Sequence, residues 1–249
     1  MKFGKTLILF TATSTVFFVF SVLSLAAADD PYTQTYVIII DNENAGTEAV
    51  TEEKDKSGAV IYTSEHELLV NDGQVKNRMA FSTKMIFSRG GKNLQTYVCW
   101  YKTAQKGNSG DSYDVTIKDN QITRVLTRNG QSAEVKAPFT QNMVIVDFNV
   151  YYQYEYLVRR YDRKKKGTQV FDNFIPVIGN DIPLKVTLLG DEKLRFDENN
   201  EKIVEVSRFR VESANINTVT LFVDKDNRLV LLENPAQDLK VIRKDLVPE

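Results

Sequence analysis

The feature that most constrains this chain is a long succession of short segments rich in β-branched and aromatic residues, which begins at Tyr32. Turn residues such as Asn71-Asp72-Gly73 and Asn129-Gly130 separate these segments at intervals of roughly 8–14 residues, as in antiparallel β-proteins. We count about a dozen strands, among them two successive segments at 183–190 and 192–197. Alternating βα units would need a helix between successive strands, so the pattern predicts a mostly β fold built on one antiparallel sheet.

We expect one domain over residues 29–249, since a chain of this length buries most of its apolar surface in a single domain. Its single cysteine, Cys99, excludes an internal disulfide and lies in the apolar run "TYVCWY". We therefore expect a buried and unreactive thiol at Cys99.

One stretch interrupts the succession of strands. Asn149 to Gly167 contains five of the eleven tyrosines, and six of its residues between Arg159 and Lys166 are lysine or arginine. Two periods fit its aromatic residues. Alternation of Tyr152, Tyr154 and Tyr156 would indicate a strand, whereas the spacing of Tyr151, Tyr154, Val158 and Tyr161 would indicate one face of a helix.

The flanking residues favour the helix, which we predict near 148–163. Asp147 and Asn149 are good N-cap residues, and cations near the far end complement the helix dipole. Gly167 then follows as a stop signal. The helical interpretation expects Tyr151 and Tyr154 to be buried in preference to Tyr152 and Tyr156.

The N-terminus is typical of an export signal. Lys2 and Lys5 precede an uncharged run that ends at Ala26-Ala27-Ala28, which fits a cleavage site with small residues. We expect residues 1–28 to be a signal peptide and the mature protein to be periplasmic or secreted. The alternative is an uncleaved anchor, because the 23 uncharged residues 6–28 are enough to span a bilayer.

The charge balance argues against a nucleic-acid partner. Removal of residues 1–28 subtracts two lysines from a formal charge of −1 and leaves −3, so the surface as a whole does not suit a polyanion. The basic run Arg159–Lys166 is interpreted as a solvated helix end. Its functional alternative is contact with an envelope protein or an anionic surface.

The motifs of common catalytic sites are missing. His66 is the only histidine, which excludes a two-histidine metal site, and we expect it on a strand beside carboxylates. No G-x-S-x-G, S-x-x-K, C-x-x-C or glycine-rich phosphate loop occurs in the sequence. Glu65 and Glu67 would share one strand face, where two acids can hydrolyse a glycosidic bond only if they flank a cleft. We therefore predict no enzymatic activity, no cofactor, no metal and no catalytic residue.

Three stretches resemble exported bacterial β-rich domains of unknown function: "AGTEAVTEEKDKSGAVIYTSEHELLVNDG", "NVYYQYEYLVRRYD" with "KGTQVFDNFIP", and "VTLFVDKDNRLVLLE". The resemblance implies a strongly curved antiparallel half-barrel with one covering helix, similar in shape to the Lol-type carriers of lipoproteins. Those carriers hold acyl chains against the concave face beneath a helix. This chain differs from them because it has no lipid-anchor cysteine and no recognisable carrier motif.

These expectations combine into one functional hypothesis and two alternatives. The helix would cover the concave face, and an apolar or amphiphilic, lipid-like ligand would lie between helix and sheet in a non-enzymatic binding protein. The first alternative is a structural or interaction module of the cell envelope without a ligand, and the second is a carboxylate-based hydrolase. The candidate ligand-binding residues are Phe148, Tyr151, Tyr154, Val158 and Tyr161.

Overall fold

The structure is a computed structural model that describes residues 30–71, 76–103, 110–196, 202–213 and 216–247. The predicted signal peptide, residues 1–28, lies outside the described residues. Within those ranges, the chain forms no helix of the length and apolarity needed to cross a membrane.

Fifteen strands of the described residues form one large, open, curved sheet, which confirms the predicted mostly β fold with a single curved sheet. The pairing is antiparallel except between β9 and β10, which run parallel. The strands are β1 (Tyr32–Ile40), β2 (Glu43–Lys54), β3 (Ala59–Asn71), β4 (Lys76–Arg89), β5 (Leu94–Thr103), β6 (Asp111–Lys118), β7 (Gln121–Arg128), β8 (Gln131–Pro138), β9 (Met143–Val144), β10 (Thr168–Ile175), β11 (Asn180–Arg195), β12 (Ile203–Ser213), β13 (Ile216–Val223), β14 (Leu229–Asn234) and β15 (Leu239–Arg243).

The strand order places the first and last strands of the described residues in the middle of the sheet. From one edge to the other the order is β8-β7-β6-β5-β4-β3-β2-β1-β15-β14-β13-β12-β11-β10-β9, so that β1 pairs with β15. The first half of the chain therefore builds one wing of the sheet, β1 to β8. The second half builds the other wing, β9 to β15.

The one α-helix among the described residues, α1 (Gln153–Arg160), and the loop before it lie against the concave face of this sheet. Alternation along the strands supplies the side chains that meet them; on β3, for example, Tyr62, Ser64 and His66 are buried between more exposed neighbours. Aromatic rings fill the contact. Phe87 packs on Tyr156 with ring centroids 4.7 Å apart, and Tyr62 stacks on Tyr152 at 6.1 Å.

A buried arginine connects the two wings across the concave face. Arg124 on β7 donates from Nη1 to the carbonyl oxygen of Pro176, in the turn between β10 and β11, at 2.8 Å. The backbone of Gly179 in the same turn adopts a φ of +69°, and a Cβ at this position would lie 2.6 Å from Arg124 Nη1. Glycine thus allows the turn to approach the guanidinium closely.

The convex face differs between the wings. The β9–β15 wing carries a second apolar cluster, formed by Val206, Phe222, Val230 and Leu246. Leu246 belongs to the 3₁₀ turn Lys244–Leu246, which covers this cluster. On the β1–β8 wing, the convex side of β3 presents Glu65 and Glu67 to solvent, so the concave face holds the core there.

Two boundaries differ from the sequence-based expectations. The helix covers Gln153–Arg160 and not 148–163, because residues 148–152 form a loop and Tyr161 has an extended backbone (φ −68°, ψ 124°). The segment predicted at 183–190 and residues 192–195 of the one predicted at 192–197 form one strand, β11, whose register against β12 shifts between Leu188 and Gly190. Gly190 has a φ of 141° and lets the long strand bend without ending.

Candidate ligand-binding site

The loop that leads into α1 is held by a carboxylate from a distant strand. Glu48 on β2 is fully buried, and its Oε2 accepts hydrogen bonds from the backbone N–H groups of Tyr151 and Tyr152, both at 3.2 Å. Free N–H groups at a helix N-terminus need acceptors, and an anion is favoured there. Asp147 and Asn149 were predicted as caps; instead Tyr152 occupies the N-cap position without a side-chain cap bond, and Glu48 supplies the acceptor from outside.

His66 is on strand β3, as predicted, but the carboxylate that it faces in the core is Glu48 of β2, which the sequence did not indicate. Its Nδ1 is 3.7 Å from Glu48 Oε1, and its ring stacks on Phe81 with centroids 4.3 Å apart. Both His66 nitrogens lack a hydrogen-bond partner among the described residues. Across those residues no group of three His, Cys, Asp or Glu side chains is placed to bind a metal ion.

A second carboxylate fixes the start of the loop. Asp147 Oδ2 accepts hydrogen bonds from the hydroxyl groups of Tyr97 (3.0 Å) and Tyr113, and its Oδ1 accepts one from the backbone N–H of Phe148 at 2.9 Å. Burial raises the pKa of Asp147, and the hydrogen bonds from Tyr113, Phe148 and Tyr97 oppose that rise. The side-chain amide of Asn173 on β10 accepts a hydrogen bond from the Val146 N–H at 2.7 Å and donates one to the Val146 carbonyl at 2.9 Å.

A third buried carboxylate anchors the helix itself. Glu155 Oε1 accepts from the Tyr36 hydroxyl and from the Leu229 N–H at 3.0 Å. Its Oε2 lies 3.3 Å from both Arg159 and Arg228. Burial raises the pKa of Glu155, while the Tyr36 hydrogen bond and the two arginines favour the ionised form. The helix is thereby tied to β1 and β14, which lie on either side of β15.

Between this loop and the β9–β15 wing the packing leaves a cavity of about 130 Å³. Its inner wall is apolar and comes from five strands of that wing, β10, β11, β12, β13 and β14, together with Leu239 of β15. Amide and hydroxyl side chains add polar groups to the lining. The lining residues are Val146, Asp147, Phe148, Asn149, Tyr151, Tyr154, Asn173, Ile175, Leu184, Val211, Ser213, Val219, Leu232, Asn234, Gln237 and Leu239.

Three of the five residues predicted to bind a ligand meet at this cavity. Phe148, Tyr151 and Tyr154 line it, and Phe148 is 43% exposed, so that with the exposed Gln237 it lies on the solvent side of the cavity. Val158 and Tyr161 are buried elsewhere in the core and do not line it. The Tyr161 ring packs edge-on against Phe209 at 5.3 Å, and its hydroxyl donates to the Gly167 carbonyl at 2.6 Å.

The helical interpretation was correct, but its burial pattern was wrong. Tyr152 and Tyr156 are as buried as Tyr151, because they pack on Tyr62 and Phe87 of the β1–β8 wing and do not face water. A hydrophobic stripe identifies a buried face only when the opposite face meets water.

Asn234 is a polar residue of the cavity that was not predicted from the sequence. Asn234, at the end of β14, is 4% exposed; its Nδ2 donates to Gln237 Oε1 at 2.8 Å, and its Oδ1 has no partner among the described residues. The 3₁₀ turn Pro235–Gln237 brings Gln237 back beside it. The Asn-Pro pair signals the turn in the sequence, but nothing there indicates which wall the amide faces.

The other singled-out residues lie away from the cavity. Glu65 and Glu67 are exposed on the convex side, where Glu65 accepts from Ser82 at 2.6 Å and Glu67 pairs with Arg78. Cys99 is buried as predicted, and burial raises the pKa of its thiol to about 12. In the basic run, Arg163 bonds Ser207 at 3.0 Å, whereas Lys164, Lys165 and Lys166 are exposed.

No family model matches this chain, and no curated protein matches its sequence. Among solved structures it is similar to a β-barrel-like protein of a domain of unknown function, DUF1849, from Brucella abortus. That similarity has a TM-score of 0.60 at 11% identity and covers 86% of this chain and 94% of that chain. A DUF1089 family protein from Pseudomonas aeruginosa gives a TM-score of 0.48 at 11% identity, over 78% and 91% of the two chains. The first similarity shows the fold alone: a β-barrel-like domain.

Proposed function

We propose that the protein is an exported, non-enzymatic binding protein that holds an apolar or amphiphilic ligand in the cavity beside the N-terminus of α1. The observation that carries this proposal is the cavity itself, whose apolar inner wall is open at Phe148. Apolar pockets with a few convergent polar groups are the usual form of small-molecule sites. The neighbouring loop is fixed by hydrogen bonds to Glu48, Asp147 and Asn173, so the wall is preformed.

The volume limits what can enter. A cavity of 130 Å³ is close to the engineered cavity of about 150 Å³ that binds benzene, and smaller than the roughly 300–1,000 Å³ of pockets that enclose drug-sized molecules. The site therefore suits a ring-sized compound or one end of a longer lipid-like molecule. The remainder of a long ligand would leave past Phe148.

The resemblance to Lol-type carriers implied an acyl chain beneath the helix along the concave face. In this chain that space is filled by Tyr156 and Leu157 of the helix and by Tyr152 just before it, all buried. We therefore place the ligand beside the N-terminal end of the helix. Cleavage of residues 1–28 and a periplasmic or secreted location belong to the same proposal.

A second candidate function is a structural or interaction module without a ligand. The observation that favours it is the burial of five of the eight residues of α1, among them Tyr156, Leu157 and Val158, which fill the space between helix and sheet. In that case the cavity is only a packing defect. The exposed Lys164, Lys165 and Lys166 would then contact an envelope protein or an anionic surface.

Native mass spectrometry of protein purified from its own host, followed by organic extraction, tests the proposal. We expect a bound small molecule in the wild type and its loss in Val211→Phe, which fills the cavity. Val170→Phe, a matched change at an exposed valine on β10, should retain the ligand. Absence of any bound molecule, together with no uptake of ring-sized apolar probes, would favour the module without a ligand.

A further inference from the structure

We propose that the cavity selects ligands whose head group is uncharged and donates a hydrogen bond, such as an alcohol, and that Asn234 Oδ1 is the acceptor. This inference rests on the proposed function, because it specifies the chemistry of the ligand at the same site. Three features of the described residues support it: an unpaired buried acceptor, the charge of the lining, and the size of the cavity.

The first feature is the hydrogen bonding of Asn234. One of its amide atoms, Nδ2, is used by Gln237, while Oδ1 is buried and without a partner among the described residues. Leaving a buried acceptor unpaired costs free energy, because it has lost its bonds to water and gained none in return. A ligand that donates to Oδ1 recovers that bond, whereas a ligand that only accepts does not.

The second feature is charge. The lining contains one acidic side chain, Asp147, and the described residues that line the cavity include no lysine, arginine or histidine. An anionic head group would therefore meet a carboxylate and no compensating cation. A cationic head group gains little, since both oxygens of Asp147 already accept hydrogen bonds from Tyr97, Tyr113 and Phe148.

The third feature is the volume, which allows a matched set of ring-sized probes. Toluene has the ring without a head group, and benzyl methyl ether adds an oxygen that only accepts hydrogen bonds. Benzyl alcohol adds a donor, benzoate an anion and benzylamine a cation. The set separates apolar burial, hydrogen-bond donation and charge within one scaffold.

The experiment is a titration of the exported protein with each probe at neutral pH, followed by heteronuclear NMR to obtain Kd. We expect benzyl alcohol to bind about tenfold more tightly than toluene or benzyl methyl ether, and benzoate and benzylamine to bind more weakly than benzyl alcohol. Benzyl alcohol should also shift the side-chain amide signals of Asn234.

Two variants test the assignment to Asn234. Asn234→Leu keeps the approximate size but removes the acceptor, and should bring the Kd values of benzyl alcohol and toluene to within about twofold of each other. Ser213→Ala changes another polar residue of the lining and should preserve the tenfold preference. If Asn234→Leu does not fold, the comparison of probes on the wild type still decides the donor requirement.

The results distinguish failure of the proposed function from failure of the head-group inference alone. If none of the ring compounds binds, the proposed function is wrong, and this inference falls with it. If toluene or the ether binds as tightly as benzyl alcohol, or if the preference survives in Asn234→Leu, the cavity remains a binding site and only the head-group inference is wrong. Tighter binding of benzoate or benzylamine than of benzyl alcohol would also overturn it.

Discussion

The two wings of the sheet hold the segment 146–161 by different means. The β1–β8 wing contacts it through hydrogen bonds to buried polar side chains, among them Glu48, Tyr97 and Tyr113. Strands β11 to β13 of the other wing contribute mainly apolar side chains such as Leu184, Val211 and Val219, and the cavity opens there. Hydrogen bonds require a fixed geometry, whereas apolar contacts do not. The β1–β8 wing, with Asn173 of β10 and Leu229 of β14, therefore positions the segment, whereas strands β11 to β13 leave space for a ligand.

The largest expected effect is at the positioning wing. Glu48→Ala removes the acceptor of two backbone N–H groups and leaves His66 beside an empty, buried site. Removing one member of a buried polar network typically costs about 3–5 kcal/mol of unfolding free energy. Urea unfolding of the purified variant measures this loss.

Glu65→Ala is the control for that experiment, because Glu65 lies on the neighbouring strand but on the exposed convex side. Its effect should remain within about 0.5 kcal/mol. Equal, small losses at Glu48 and Glu65 would contradict the idea that the β1–β8 wing positions the loop.

The contrast between the wings also explains which parts of the structure the sequence could predict. Alternating apolar residues and turn signals are local, so the mostly β fold and the existence of α1 followed from them. The cap of α1 did not, because Glu48 lies 103 residues before Tyr151. Local cap residues at Asp147 and Asn149 were therefore misassigned.

The cavity could not be predicted for the same reason. Its wall combines side chains such as Leu184, Val211 and Leu232 from separate strands, and their meeting depends on the curvature of the sheet. Phe148, Tyr151 and Tyr154 were found because they are close together in the sequence. Val158 and Tyr161 share the helical period but extend beyond the cavity.

Two tyrosines of α1 allow the wings to be compared, since one packs against the β1–β8 wing and the other borders the cavity. Tyr156 is buried against Phe87 of the β1–β8 wing, and Tyr156→Ala should lower the unfolding free energy by about 3–5 kcal/mol. Tyr154 borders the cavity and is only partly buried, so Tyr154→Ala should cost about 1–2 kcal/mol less.

Thermal and urea unfolding of both variants provide the measurement. A larger loss at Tyr154 than at Tyr156 would mean that the cavity side, and not the β1–β8 side, determines how the helix is held. Tyr152→Ala offers a further test, since its stacked contact with Tyr62 predicts a loss similar to that of Tyr156→Ala.

A smaller effect is expected on the pH dependence of the unfolding free energy. Burial raises the pKa of Asp147, so the folded protein keeps this proton to a higher pH than the unfolded chain does. The stabilising contribution of the protonated form is complete below the ordinary aspartate pKa and is lost as pH rises through the raised value. The unfolding free energy of the wild type should therefore fall as pH rises above about 4. Asp147→Asn should reduce that fall by about 1.4 kcal/mol for each unit by which burial raises the pKa of Asp147.

Asp55 provides a control of opposite sign. It is exposed, and its hydrogen bonds, first that from the Ser57 hydroxyl, lower its pKa. Its contribution is therefore present above the ordinary aspartate pKa and is lost as pH falls. If the unfolding free energy depends on pH in the same way in the wild type and in Asp147→Asn, burial does not destabilise the ionised form of the Asp147 carboxyl.

The smallest effect on stability is expected in the basic run that follows α1. Lys164, Lys165 and Lys166 are exposed, and the Lys165–Asp162 pair is long at 3.9 Å. Exposed ion pairs contribute little, so reversal of all three lysines to glutamate should change the unfolding free energy by less than about 0.5 kcal/mol. Probe binding at the cavity should not change either, since these residues do not line it.

The same triple variant separates the two candidate functions. Flotation with vesicles that contain anionic lipid should show salt-sensitive binding of the wild type, lost in the variant, only if the basic run contacts such a surface. Reversal of Lys185, Lys225 and Lys240, three exposed lysines of the β9–β15 wing, is the control with an equal change of charge. Equal losses in both variants would indicate net charge alone as the cause. Selective loss in the first, with an empty cavity, would favour the interaction module over the binding protein.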